Sequence, residues 1–225
     1  MKAGPLKGSA IWGYFVANSN EETLSRINLS NTARLSKYRV RGIVPVRGKT
    51  PPDLAEGWTM IRVETTSPLP LLEASPKQDA PGIIFSGVTQ HLQYTTQSQQ
   101  EKLNRYSRSE LLPSDNTTAV LIPIGKSAEW WELAQDQRQA YFQKVAGHNG
   151  HTEIGLKYAD RIFRKLYHTR YLDPTADYDF LTYFEFQRAH KNDFEMLLAE
   201  LRDVICNPEW KYVDLEYEIW LTKLR

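Results

Sequence analysis

Cysteine is nearly missing from this chain. Cys206 is the only one among 225 residues, so no intrachain disulfide and no thiolate zinc site can form. A surplus of one charge is also lacking. Twenty-eight Lys and Arg stand against 27 Asp and Glu, a formal net charge of +1, which leaves nothing to neutralise phosphates and argues against nucleic acid as a partner. No apolar run reaches membrane-spanning length without a charge, which argues against a membrane partner. The opening MKAGPLKGSAIWGYFV has only a short apolar run, broken by Gly13, unlike a secretory leader. A reducing, cytoplasmic setting is the expectation. Glycines are scattered, and the chain has no P-loop, no GxGxxG, no HExxH and no Ser-His-Asp order. Aromatic residues are abundant instead: six Trp and twelve Tyr can serve a core or wall a pocket for a flat ligand.

The first part of the chain reads as strand-rich. Strands are expected at 10–18, 38–46, 58–66 and 83–96, with Pro45 marking an edge. A short capped helix is expected at 19–29, a linker at 49–57 and a proline-rich loop at 67–82. The second part is clearer: strand 118–125, helix 128–147, helix 151–162, strand 163–172, strand 178–187, helix 192–205 and strand 211–221. Phe194, Leu197, Leu198 and Leu201 form one helical stripe. Val213, Leu215, Tyr217, Ile219 and Leu221 alternate onto one strand face. That order, β-α-α-β-β-α-β, is a ferredoxin-like unit with one extra helix. The first part reads as a worn copy, so the fold class is α+β, two such units (1–110 and 111–225) side by side, as a barrel with helices outside.

The segment GHNGHTEIGLKYADRIFRKLYHTR, residues 147–170, holds three of the five histidines. His148 and His151 are spaced to share a helix face, but the intervening Asn-Gly breaks the helix, and spacing alone favours an exposed histidine of no special role at 151. Arg164 is different. Alternation places it between Ile162 and Leu166, and a guanidinium among apolar neighbours either pairs with a carboxylate or faces a cavity that receives an anion. Arg161, Lys165 and Arg170 read as solvated. Trp130 and Trp131, adjacent on a helix, cannot face the same place; with Lys126 they suit either a core or the rim of a flat, carboxylate-bearing cofactor. Glu209 reads as solvated unless a histidine donates to it.

In order and near spacing, GVTQHLQYT (87–95), AVLIPIGKSAEWWEL (119–133), HTEIGLKYADRIFRKLYHTR (151–170), DFLTYFEF (179–186) and LRDVICNPEWKYVDLEYEI (201–219) resemble the haem-containing chlorite dismutases, their short-chain branch above all. The resemblance implies a dimeric α/β barrel of ferredoxin-like units with haem b in the C-terminal unit. It implies His151, from HTEIGLKY, as the iron ligand, with His148 as rival. It implies Arg164 as the distal catalytic arginine and Glu209 as the carboxylate behind the imidazole. Lys126, Trp130, Trp131 and Tyr94 match positions around the cofactor, near its propionates. The implied reaction cleaves the O–Cl bond of chlorite at ferric iron, giving chloride and dioxygen. The implied assembly is a homodimer, with a pentamer as the other possibility. Two positions depart from the pattern: a glutamine expected near Ser107 is missing, and Glu216 or a neighbour stands where long-chain members carry tryptophan. The alternatives are a haem carrier or sensor, a peroxidase-like member and a coprohaem decarboxylase, the last disfavoured by Arg164.

Overall fold

The computed structural model describes residues 10–19, 34–49, 51–69, 82–89, 97–107, 109–112, 116–143, 149–173 and 175–225. Eight strands are present among them: β1 (Trp12–Asn18), β2 (Arg34–Arg47), β3 (Thr59–Thr65), β4 (Ile83–Val88), β5 (Thr117–Lys126), β6 (Ile162–His168), β7 (Phe180–Gln187) and β8 (Val213–Lys223). The helices are α1 (Gln97–Tyr106), α2 (Ala128–Glu132), α3 (Gln135–Phe142), α4 (Gly150–Leu156) and α5 (Lys191–Arg202), with a short 3-10 turn at Pro208–Tyr212. The strands close a barrel in the order β1-β3-β2-β8-β5-β7-β6-β4, every pairing antiparallel. Each half of the chain contributes its strands in the spatial order fourth, first, third, second.

Alternation along the strands sorts side chains to two faces. Inside the barrel, Phe15, Tyr38, Met60, Leu121, Tyr167 and Tyr183 form the main core. On the outer face of β5 and β7, Val120, Ile122, Phe184 and Phe186 meet Ile154 of α4 and the α5 stripe of Phe194, Leu197, Leu198 and Leu201. Each such side chain contributes about 1.5–3 kcal/mol on burial, enough to pin both helices to the sheet.

Several expectations are corrected. β2 is no edge: it pairs with both β3 and β8. Its pairing to β3 ends at Arg39, so Pro45 needs no amide on that side, and it sits beside a bulge in the β8 ladder. The strand expected over 83–96 ends at Val88, while α1 was not foreseen. The helix expected over 128–147 is broken: Ser127 caps α2, Leu133 and Ala134 are extended, and the Gln137 side chain accepts from the Ala134 amide to start α3. The helix expected over 151–162 stops at Leu156 and passes through turns into β6. Val213 parts from the β8 interior residues and joins the outer core, because the ladder slips between Gly125 and Lys126. The helix expected at 19–29 lies outside the described residues.

Candidate active site

α4 is placed by its first residue. Gly150 is buried with φ of 67°, and a Cβ there would lie 2.7 Å from the Gln143 carbonyl oxygen and 2.8 Å from that of Phe142. Only glycine allows this close, left-handed entry. The Asn149 amide donates to the Cys206 carbonyl at 3.2 Å, bringing the start of α4 beside the Pro208–Tyr212 turn. His151 and Glu209, 58 residues apart, therefore meet: Nδ1 lies 2.6 Å from Oε2 of Glu209. The second carboxylate oxygen accepts from Lys126 Nζ at 2.7 Å.

The Lys126 ammonium, which the resemblance places near the cofactor, lies on Glu209 and 4.6 Å from the Trp130 ring centroid. Burial by itself would raise the Glu209 carboxyl, but the Lys126 ammonium and then His151 outweigh it and hold the group down to about 2. Glu209 is thus a buried carboxylate with two partners, not a solvated one. With Nδ1 committed to an anion, Nε2 is the ring nitrogen left to ligate.

Arg164 projects from the outer face of β6, opposite Phe184 in the β7 ladder. Among the described residues it has no hydrogen bond or ion pair. Its guanidinium sits 5.9 Å from the Phe184 ring, and Nη1 is 3.3 Å from where a Cβ would project at Gly155. Gly155 follows His151 by four residues, so His151 and the point that the guanidinium approaches lie on one face of α4. Burial lowers the Arg164 pKa and the Glu209 charge partly offsets this; the group keeps its charge at neutral pH.

The tryptophans diverge, as adjacent helical residues must. Trp130 is buried against Tyr141, Phe142 and Tyr212. Trp131 stacks on Phe180 at 5.9 Å, and the Arg170 guanidinium lies 3.9 Å from its centroid. Arg170 also donates to Asp179 at 2.9 Å. Lys165 is not solvated: it reaches inside the barrel to Glu64 at 2.6 Å. Glu216 is buried and accepts from Arg202. Ser107 is exposed just past α1. Tyr94 and the rival His148 lie outside the described residues. Gly155 and Asp179 were not singled out from sequence; the i, i+4 spacing of Gly155 from His151 was the available signal.

These residues suit a haem. Glu209 backs the His151 imidazole, and Gly155 puts no side chain between α4 and the Arg164 guanidinium. On β6 the Arg164 cation lies beside the apolar Leu166 and Phe184.

A model of the family described as chlorite dismutase matches residues 73–210. A chlorite dismutase from Ideonella dechloratans is 34% identical over 130 residues, which cover 56% of this chain and 40% of that protein. The chain thus spans less than half the length of that relative. Among solved structures, a dimeric chlorite dismutase from Nitrobacter winogradskyi is 28% identical, with a TM-score of 0.65 over 93% of this chain and 99% of the other. An arginine-to-lysine variant of the enzyme from Candidatus Nitrospira defluvii is 25% identical, with a TM-score of 0.69 over 98% and 93%. Barrel, carboxylate-backed imidazole and family match agree, and the chain belongs to the chlorite dismutase family.

Proposed function

We propose that the chain is a haem b enzyme that decomposes chlorite to chloride and dioxygen, with His151 as the iron ligand and Arg164 as its catalytic residue. The observation that carries this reading is the Arg164 guanidinium, without a hydrogen bond or ion pair among the described residues and close to Gly155 on the helix whose His151 is backed by Glu209. When bound, haem supplies a redox-active iron able to accept oxygen from an oxyanion.

The chain's own residues do the rest. Glu209 fixes the His151 tautomer and makes the ring a stronger donor. Lys126 shares the carboxylate and so limits how much charge reaches the imidazole. Arg164 would draw a small oxyanion and orient it through its planar fork. The same fixed charge would keep a small oxyanion product from leaving the site. Leu166 and Phe184 put apolar side chains beside Arg164, which weakens the competition of water for its charge. A homodimer is the inferred assembly, supported by the dimeric relative, with a pentamer as its rival.

The purified protein is expected to show a high-spin ferric Soret band that His151→Ala abolishes. Chlorite is expected to release dioxygen, with a loss of about 100-fold or more in Arg164→Ala, the size seen when a preorganised charge partner is removed. Oxygen-electrode traces check this. Haem bleaching without oxygen would point to the carrier or peroxidase-like alternative, and a Soret band surviving in His151→Ala would remove the assigned ligand.

A further inference from the structure

The turn that carries Glu209 is gripped from the first half of the chain. β2 pairs with β8 as far as Arg47, and the register slips between Pro45 and Arg47, so Val46 is an extra residue. Pro45 pairs with Tyr217, whose ring lies in the barrel core. Arg47 pairs with Glu216, which turns outward to Arg202 of α5. Without the bulge, Arg47 would share the inward face of Pro45. The bulge re-aims its side chain to the outer face, beside the Pro208–Tyr212 turn. There one guanidinium nitrogen, Nη1, donates to the Val213 carbonyl at 2.9 Å and to the Trp210 carbonyl at 3.2 Å. The β2–β8 ladder stops at Glu216, so this side chain extends the grip of β2 past its last backbone pair. Gly48 then seats the segment against β8: its φ is 82°, and a Cβ there would lie 2.2 Å from the Asp214 carbonyl oxygen.

The gripped carbonyl belongs to the residue directly after Glu209. That carboxylate must meet partners from two other elements, His151 of α4 and Lys126 at the end of β5. The ends of the turn are held elsewhere. The Asn207 amide donates to the Asp203 carbonyl at 2.7 Å, and the Tyr212 carbonyl accepts from the Ser127 amide at 2.8 Å. Between these ends, rotation of the Glu209–Trp210 stretch would swing the carboxylate off one of its partners. A cation bonded to the Trp210 carbonyl resists that rotation, and a charged donor makes the stronger kind of hydrogen bond.

We propose that Arg47 is a positioning residue of the site: from β2 it locks the Glu209–Trp210 stretch so that the carboxylate stays behind the His151 imidazole. The consequence for iron chemistry rests on the haem reading above; the hold on Glu209 does not.

The test uses the full chain without haem, isotope-labelled at histidine. The His151 ring N–H that faces Glu209 is identified by its absence in His151→Ala, and its exchange with water is followed by NMR, with the core amides of β5 as reference. Arg47→Met is expected to speed exchange of the ring proton at least about tenfold relative to the β5 amides, the scale of one hydrogen bond to a charged group. Arg47→Lys, which keeps a cation with several donors, should restore most of the protection. Lys49→Met removes a neighbouring exposed cation, paired with Asp177 at 3.0 Å, and should leave the ring proton unchanged, which separates position from bulk charge. If the methionine variant does not fold, Arg47→Gln takes its place. Equal acceleration of the ring proton and the β5 amides would make Arg47 a general stabilising residue and overturn the proposal. An unmoved ring proton, or an equal effect of Lys49→Met, would overturn it too. With haem bound, the ferrous iron–imidazole stretch in resonance Raman spectra should fall in Arg47→Met, because a less firmly backed ring is a weaker donor. A protein that binds no haem yet shows the expected exchange pattern would overturn the haem reading and leave the Arg47 clamp standing.

Discussion

At the residue scale, the site is governed by one carboxylate. Glu209 sits with a folded value of about 2 against an ordinary 4.5, so its stabilising contribution is complete above about 4.5 and is lost as pH falls toward 2. A shift of that size corresponds to roughly 3 kcal/mol at neutral pH, an upper figure for a coupled pair. Glu209→Gln should therefore lower stability at pH 7 by about 1–3 kcal/mol and make the unfolding free energy less dependent on pH between about 4.5 and 2, measured by urea titration across that range. Lys126→Met removes the larger of the two favourable partners. It should move the acid midpoint of the Glu209 carboxyl upward, read by NMR of a side-chain-labelled sample; an unmoved midpoint would show that His151 alone holds the charge. This residue also shows the limit of the sequence. Glu209 and His151 could be named from a resemblance, but the Lys126 ammonium could not be placed on Glu209, because the two stand 83 residues apart and only the closed barrel joins them.

At the element scale, α5 carries the helical layer. Its stripe was legible because an apolar face with a 3.6-residue period has few other uses. The break between α2 and α3 was not: propensity favours helix throughout 128–142, and the break comes from tertiary demand. Trp130 must reach Tyr212 and Trp131 must reach Phe180, while Phe142 lies 4.6 Å from the His151 ring. One uninterrupted helix would not place these three residues on such different targets. Within α5, Phe194 stacks on Phe186 at 4.6 Å and meets Phe184 and Trp220 edge-on. Phe194→Ala should cost about 3–5 kcal/mol, seen as a lower urea midpoint with an unchanged slope. The same helix holds the turns that follow α4: Glu200 accepts from Tyr158 at 2.7 Å and Asp193 from Arg161 at 2.6 Å. Loosening α5 should therefore also speed amide exchange in α4, the element that presents His151.

At the scale of the whole molecule, the two halves, which we propose divide near residue 110, are bound by charge inside the barrel. Glu185 of β7 accepts from Lys223 of β8 at 2.7 Å, from Tyr38 of β2 at 3.1 Å, from Tyr183, and through its other oxygen from the Leu111 amide at 2.9 Å. Glu64 of β3 accepts from Arg62, from Lys165 and from Tyr167, and Arg62 lies 4.3 Å from the Tyr183 ring, joining the two groups. None of this was readable from alternation, which marks Lys165, Glu185 and Lys223 as polar breaks in strands that nevertheless face inward. Since β2 and β3 supply partners for β6, β7 and β8, neither half should fold alone. A buried pair of this kind adds little net stability, yet stripping one partner leaves an uncompensated charge. Glu185→Gln should thus cost about 3–5 kcal/mol, and Lys223→Met about as much. The double variant should be no worse than either single one, because it removes the stranded charge as well. A urea-unfolding cycle of the four proteins measures this. Additive losses would mean that the two side chains contribute independently, and that something other than paired charge ties β7 to β8.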